Sequence, residues 1–416
     1  MLLRLAWQSL LSRRLTVGLT VFAVALSVAL FLGVEKVRTG AKDSFADTIS
    51  DTDLIIGARS GGVQLLLYSV FRVGNATNNV TWESYQDIAA QPEIDWIVPI
   101  SLGDSHRGFR VMGTSTEFFD RYKYRGGRNL TLVQGEHFED LFDAAVGAEV
   151  AEQLGYEIGQ EIIVAHGLAS FTEHDDKPFR VAGILARTGT PVDRTVFVSL
   201  EAIEAIHIDW KNGARIPGQT VSADEVRGME LTPGAVTAAM IGVKSRLQIF
   251  GLQRWINEYP EEPLLAIIPG VALQELWDII GVAERALIGV SAMVVATALL
   301  GMAAMIFSGL NERRREMAIL RAVGARPWII IALLTTEAAL MALAGVLIGM
   351  ALLYSGMGIA RPYIDSAFGI YLPPEPPTLR ELTVMAVVVV AGGLISLAPA
   401  WRAYRMSLTD GMMVRI

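Results

Sequence analysis

Cysteine is absent from this 416-residue chain. That excludes a disulfide framework, a thiol nucleophile and a thiolate metal site. No Gly-Lys dipeptide occurs, so no Walker A loop can cradle ATP phosphates. No Gly-x-Ser-x-Gly elbow occurs either, and the acidic residues are too scattered to nominate a glycosidase pair. The chain is therefore expected not to be a catalyst by itself and to bind no cofactor. Basic charge is scarce overall, with a net charge of −8, but it is unevenly placed. Residues 1–14, 311–326 and 401–416 hold eleven Arg against three acids, a net of +8. The rest of the chain, Glu337 aside, has 24 basic and 39 acidic residues, which argues against a nucleic-acid partner.

What the chain has in abundance is apolar sequence, 52% hydrophobic. Residues 15–34 carry no charge and are long enough, at about 1.5 Å per residue, to cross roughly 30 Å of hydrocarbon. A cleaved signal peptide is the alternative, but no small-x-small site follows closely. Comparable runs occupy 286–310, 328–354 and 382–401. Residues 1–14 put Leu3, Ala6, Trp7, Leu10 and Leu11 on one helical face, as an interfacial helix on membrane lipid would. Clustered arginines stay on the cytoplasmic side, so four spans follow, with both termini and the 402–416 tail inside. Residues 35–283 and the Pro-rich 355–381 loop are then outside, and the expected location is a bacterial inner membrane.

Residues 35–283 mix strand-like segments (53–56, 94–100, 109–113, 161–165, 179–185, 195–198, 237–243) with helical patterns at 82–90, 148–154, 200–207, 247–259 and 272–282. The expected fold is a membrane protein with four transmembrane α-helices and a large α+β extracytoplasmic domain. The last helical pattern leads straight towards the second span, so an unbroken stalk is expected there. Residues 211–235 lack periodicity and read as a loop.

The cationic segment 311–326 joins spans two and three. Its centre has good helix formers, Gly324 fits a left-handed position past the helix end, and Pro327 starts the next helix. Charge alone makes it a topological anchor. A docking helix for a soluble partner is the sharper reading. The run Glu312-Arg313-Arg314-Arg315-Glu316-Met317-Ala318-Ile319-Leu320-Arg321-Ala322-Val323-Gly324-Ala325 resembles the cytoplasmic loop of MacB/FtsX/LolC-type permeases, the type VII ABC transporter fold. Ala145-Val146-Gly147-Ala148-Glu149, Gly155, Ile158-Gly159 and Phe179-Arg180-Val181-Ala182-Gly183-Ile184 are similar to the MacB-like periplasmic core domain. The tail Pro399-Ala400-Trp401-Arg402-Ala403-Tyr404-Arg405 resembles the family's ending.

The resemblance implies a porter-like core at 35–115 and 236–283, with a strand-rich insert at 116–235. It implies that Glu312, Arg313, Glu316, Met317, Ile319, Leu320, Val323 and Gly324 form the coupling helix, seated on an ABC ATPase subunit that is a separate chain and uses the ATP. Arg321 is expected to turn towards lipid headgroups or the groove rim. It further implies a homodimer, a possible periplasmic adaptor or effector protein, and action by mechanotransmission in export or extraction from the outer face. An FtsX-like regulator activating an external partner such as a cell-wall hydrolase is the alternative, and a membrane-anchored binding protein without a motor is a third reading.

Three further constellations stand out. Glu337 is an acid inside a span, where a carboxylate costs about 2.5–3.5 kcal/mol on the insertion scale, so it needs a polar contact or serves an ion relay. Gly345-x-x-x-Gly349 is a helix-packing motif, for a dimer or within one subunit. His166 and the group Glu173-His174-Asp175-Asp176 flank a possible hairpin and could gather round a metal. Hydrophilic turns look the same and no close ligand spacing is present, so no metal site is expected.

Overall fold

In the computed structural model, which describes residues 2–48, 51–124, 126–167, 174–211, 214–215, 221–312, 314–322, 324–368 and 376–405, the apolar runs fold as helices that outlast the hydrophobic stretch. Among the described residues the α-helices of eight residues or more are α1 (Leu2–Ser12), α2 (Arg14–Asp47), α3 (Gly62–Ser69), α4 (Trp82–Ala89), α5 (Leu200–His207), α6 (Ile249–Asn257), α7 (Pro269–Glu312), α8 (Arg314–Ala322), α9 (Pro327–Phe368), α10 (Leu379–Ile395) and α11 (Leu397–Arg405). Four of the helical stretches are long and apolar enough to cross a membrane: Arg14–Asp43, Pro269–Leu310, Trp328–Ile364 and Leu379–Arg405.

Each boundary has a local cause. Both α7 and α9 begin with proline, whose fixed φ suits a first turn and whose missing N–H is not needed there. The span expected at 286–310 and the helical pattern before it are one helix of 44 residues, with no proline inside. The loop expected at 355–381 is helical up to Phe368, because α9 absorbs Pro362 in its last turns instead of ending there. The fourth span breaks at Ser396 between α10 and α11. Pro399 cannot donate to the carbonyl of Ile395, and that lost bond is where the ladder is interrupted.

The described residues of 1–40, 281–363 and 372–416 group as one unit, and those of 41–280 with 364–371 as another. In the first, buried residues recur every three or four positions: Val21, Val24, Val28 and Leu32 on α2, Leu299, Met302, Ile306 and Leu310 on α7, and Ile330, Leu334, Ala338 and Met341 on α9. Their opposite faces are apolar too, with Leu15, Leu19, Phe22, Leu26 and Leu30 exposed along α2. A helix bundle greasy on its outside as well as its inside has hydrocarbon for solvent.

The second unit is built on a sheet of eleven strands: β1 (Leu54–Ala58), β2 (Ile94–His106), β3 (Phe109–Thr114), β4 (Leu132–Gly135), β5 (Asp143–Val146), β6 (Glu161–Ile162), β7 (Ala165–His166), β8 (Phe179–Leu185), β9 (Thr195–Ser199), β10 (Ala238–Val243) and β11 (Leu264–Ile267). Their order is β11-β1-β10-β2-β3-β9-β5-β8-β4, with β7 added on β2 and β6 on β8. Alternation divides the strands between two buried faces. Ile55, Ile100, Met112, Ala145, Phe197 and Met240 share one core. The other face splits, with Leu54, Ile56, Ala239 and Ile241 in one cluster and Val111, Ala144, Val146, Val196 and Val198 in another.

Residues 116–235, expected as an insert, supply β4 to β9 and continue the same sheet, through the parallel pairing of β9 with β3 from Thr195↔Arg110 to Ser199↔Thr114. The resulting α+β domain matches the expected class.

Candidate functional site

α8 is helical from Arg314 to Ala322, and Gly324 follows at φ +94 with its N–H on the Arg321 carbonyl at 3.0 Å. That left-handed position suits glycine because no Cβ meets the following carbonyl. Glu316 and Ile319 are exposed, Met317 is half-buried, and Ala318 is buried. Of the other expected docking residues, Arg313 and Val323 lie outside the described residues, as do the side chains of Glu312 and Leu320.

Arg321, half-buried, turns its guanidinium onto the end of α11. Its Nη2 donates to the carbonyls of Ala403 at 3.2 Å and Tyr404 at 2.8 Å. These lie in the last turn of α11, where helix carbonyls have no intrahelical donor and the dipole end is negative. Arg13, between α1 and α2, makes the matching contact on α7, its Nη1 donating to the Gly309 carbonyl at 3.3 Å. Both arginines therefore do local structural work on helix ends in addition to carrying positive charge.

Glu337 lies inside the bundle, 4% exposed, on the face of α9 that carries Leu334, Ala338 and Met341. A Cβ on Gly345 would come within 2.6 Å of Val24 Cγ1, and one on Gly349 within 2.5 Å of the Ala25 carbonyl oxygen. The Gly345/Gly349 motif thus lets α9 lie backbone to backbone on α2 of the same chain.

A second polar cluster, not singled out by the sequence reading, joins the other ends of these helices. Arg38 of α2 holds Glu35 at 2.8 Å and Glu284 of α7 at 3.4 Å. Arg380 of α10 reaches Glu35 at 3.0 Å, and Lys36 meets Glu381 of α10 at 3.2 Å. Lys36 also stands 5.9 Å from the centre of the Tyr354 ring on α9. Glu35, Lys36 and Glu381 are buried. The signal was available: these charges directly flank the expected outer ends of three spans, at one level, with opposite signs. Thr378 and Glu381 also form a reciprocal N-terminal cap on α10, so Glu381 serves the helix start and the ion cluster together.

Of the histidines, His106 is held by the Ile163 carbonyl and, at 2.6 Å, by the Tyr156 hydroxyl, and His137 stacks on Phe119. His166 and His174 come together with Asp104 and His207, two residues the sequence reading did not connect to them.

Comparison with known proteins covers nearly the whole chain. Residues 17–241 match the family described as MacB-like periplasmic core domain, and residues 288–408 match FtsX-like permease C-terminal. Among curated proteins, the pyoverdine export ATP-binding/permease protein PvdT of Pseudomonas syringae pv. syringae (strain B728a) is 22% identical over 97% of this chain. The chain spans 58% of that relative's length. The periplasmic region of MacB from Actinobacillus actinomycetemcomitans aligns over 55% of this chain and 94% of its own, with TM-score 0.35 and 12% identity. The extracellular domain of the noncanonic ABC-type transporter YknZ from Gram-positive bacteria aligns over 52% of this chain and 98% of its own, with TM-score 0.30 and 13% identity.

Proposed function

The chain belongs to the family of MacB/FtsX-like ABC permeases, and we propose that it couples ATP hydrolysis by an ATPase partner to movement of its extracytoplasmic domain, exporting or extracting a substrate at the outer face of a bacterial inner membrane. The observation that carries this is the helix order. The cationic α8 directly follows α7, a helix that runs unbroken for 44 residues. A continuous hydrogen-bonded helix resists bending between its ends, so a push on α8 is delivered along α7 instead of being absorbed in a joint.

In this reading α8 seats on the ATPase through Ile319, which is exposed, with Glu316 beside it offered to a basic groove residue. Arg321 ties α8 to α11, so the docking helix moves with the end of the fourth span. The ion cluster of Glu35, Lys36, Arg38, Glu284, Arg380 and Glu381 keeps α2, α7 and α10 in register at their far ends. Two copies acting as a homodimer around a paired ATPase complete the unit, with the chain itself consuming no ATP. Both termini are assigned to the cytoplasm by the arginine distribution.

The test is co-purification of the partner ATPase with the full chain from detergent. Ile319→Asp places a charge at the centre of the docking face and should cost about 2 kcal/mol or more in association, the scale of an interface hot spot. Arg326→Ala, at an exposed rim position, should cost much less. Equal ATPase recovery with Ile319→Asp and wild type would return α8 to a topological anchor.

A further inference from the structure

We propose that Asp104, His166, His174 and His207 form a binding site for a divalent transition-metal cation of the Zn2+ class. The site is independent of the permease reading and lies within the extracytoplasmic domain. It reverses the sequence-based expectation that this chain holds no metal.

The strand register supplies the first two donors. β7 pairs antiparallel with β2, with His166 directly opposite Asp104, so both side chains leave the sheet on the same side. His207 is the last residue of α5, and His174 is anchored by its own N–H to the Val164 carbonyl at 2.9 Å. Three stretches of the chain, around 104, 166–174 and 207, thus deliver the four donors.

The donor atoms are spaced for a shared cation. His166 Nδ1 stands 3.1 Å from His207 Nε2 and 3.3 Å from Asp104 Oδ1, and His207 Nε2 stands 3.6 Å from that oxygen. One atom from each of the four residues lies within 4.8 Å of every other. Ligands about 2.0–2.2 Å from one tetrahedral ion stand about 3.3–3.6 Å apart, close to the 3.1, 3.3 and 3.6 Å between the His166, His207 and Asp104 donors, with His174 within 4.8 Å of each.

Hydrogen bonding fixes which nitrogens are free. His207 Nδ1 lies 2.8 Å from the Ile203 carbonyl, which can only accept, so Nδ1 carries the proton and Nε2 offers its lone pair to the cluster. His174 is fully buried, and neither of its ring nitrogens has a hydrogen-bond partner among the described residues. Asp104 Oδ1, also buried, lies within ion-pair range of His166 and His207 but has no hydrogen bond of good geometry among the described residues. A fully buried imidazole without a hydrogen bond, within 4.8 Å of a buried carboxylate oxygen and two further imidazoles, is what an ion's ligand looks like.

Charge agrees with geometry. Burial alone would raise Asp104, but hydrogen bonding and charge from the His166 and His207 imidazoles hold the carboxyl at about 2. Against burial the same carboxylate raises His207, so a cation binds there by displacing a proton. Burial, with His207 nearby, takes His174 down to about 4, leaving a neutral ring with a lone pair. The buried ammonium of Lys177, three residues past His174, is paired with Asp176 and Asp209 at 3.0 Å each.

Three imidazoles and a carboxylate suit Zn2+, with Co2+, Ni2+ and Cu2+ following the same donors, whereas Ca2+ and Mg2+ need oxygen shells. All four positions come from the protein, which makes the site closed and structural in type. A bound ion would clamp β2, β7, α5 and the segment at His174 to one another.

The experiment uses the full chain in detergent, purified with a tag free of histidine and stripped with chelator. Zn2+ is titrated in competition with a chromophoric chelator, and Co2+ is added separately for its visible spectrum. Wild type should bind one Zn2+ per chain, gain thermal stability from it, and give the intense bands of tetrahedral Co2+. His174→Ala and His207→Ala should each weaken Zn2+ binding at least tenfold and remove those bands, while His137→Asn should leave both unchanged. Should the two buried-site variants fail to fold, His166→Gln, at a side chain 40% exposed, keeps the question open to measurement. The proposal is overturned by a wild type that takes up no stoichiometric Zn2+, or by a folded His166→Gln chain that binds it as tightly as wild type.

Discussion

Arg38 on α2 and Glu284 on α7 meet at 3.4 Å, with Arg38 also holding Glu35 at 2.8 Å, so one guanidinium ties together the outer ends of the first two spans. The groups are mostly buried, with side-chain exposures of 17% and 14% for this pair. Removing one partner there leaves the other charge desolvated, which costs about 3–5 kcal/mol. Arg38→Met should therefore lower the melting temperature of the detergent-solubilised chain. Arg38→Lys, which keeps the charge but loses the fork, should fall between. If the cluster also transmits motion, Arg38→Met should lower substrate-linked ATPase activity of the assembled complex at temperatures where the chain remains folded.

Arg321 offers a second test. Its guanidinium bonds two carbonyls in the last turn of α11, and a hydrogen bond to a charged group contributes about 1.5–3 kcal/mol. Arg321→Ala should speed proteolytic trimming of the C-terminal segment near Arg405 and lower thermal stability by an amount in that range. Arg326→Ala, an exposed residue two positions past the helix-ending glycine, should do neither. Equal trimming in the two variants would show that the clamp holds nothing.

How much of this was legible in the sequence depended on range. The four spans, the α+β class and the turn at Gly324 follow from patterns within a few residues, and sequence carries those directly. Helix ends were harder, because a proline such as Pro362 can be absorbed near a helix terminus when neighbouring side chains favour continuation. β11 escaped notice since Leu264–Ile267 is short and wholly apolar, with no alternation to read. β5 escaped for a related reason: Asp143–Val146 opens on a charge, yet that carboxylate is buried against Arg180 of β8 at 2.8 Å. The histidine cluster depends on register. Asp104 and His166 are neighbours only because β7 pairs with β2, and His207 reaches them only because α5 ends where it does. No local pattern in the chain encodes either fact.

Sidedness can be measured directly because the chain has no native cysteine. Asn129→Cys, at an exposed position in the extracytoplasmic domain, should react with an impermeant maleimide on intact cells. Ala322→Cys, exposed at the end of α8, should react only after permeabilisation. Labelling of Ala322→Cys in intact cells would reverse the orientation and remove the docking role of α8.

The last expectation separates two glycines that look alike in sequence. Added methyl groups at Gly345 and Gly349 meet different neighbours. At Gly345 the nearest atoms are Val24 Cγ1 at 2.6 Å, which can swing to another rotamer, and Val24 Cβ at 2.8 Å, which moves only with its backbone, with the Val21 carbonyl oxygen farther off at 3.3 Å. At Gly349 it is the Ala25 carbonyl oxygen at 2.5 Å, followed by that residue's backbone carbon and Cα at 3.2 Å, and main chain cannot rotate aside. Overpacking of this kind costs about 1–3 kcal/mol, or more where the backbone must move. Gly349→Ala should therefore lower the melting temperature more than Gly345→Ala, although the substitutions are chemically identical. Pairing Gly349→Ala with Ala25→Gly should not restore stability, because the obstructing atoms belong to the backbone. Pairing Gly345→Ala with Val24→Ala should restore part of it, because the Cγ1 clash is removed while the Cβ at 2.8 Å remains. If instead both single variants leave the monomer's stability unchanged and weaken self-association on a size-exclusion column, the motif serves a contact between copies and the packing of α9 on α2 is not its purpose.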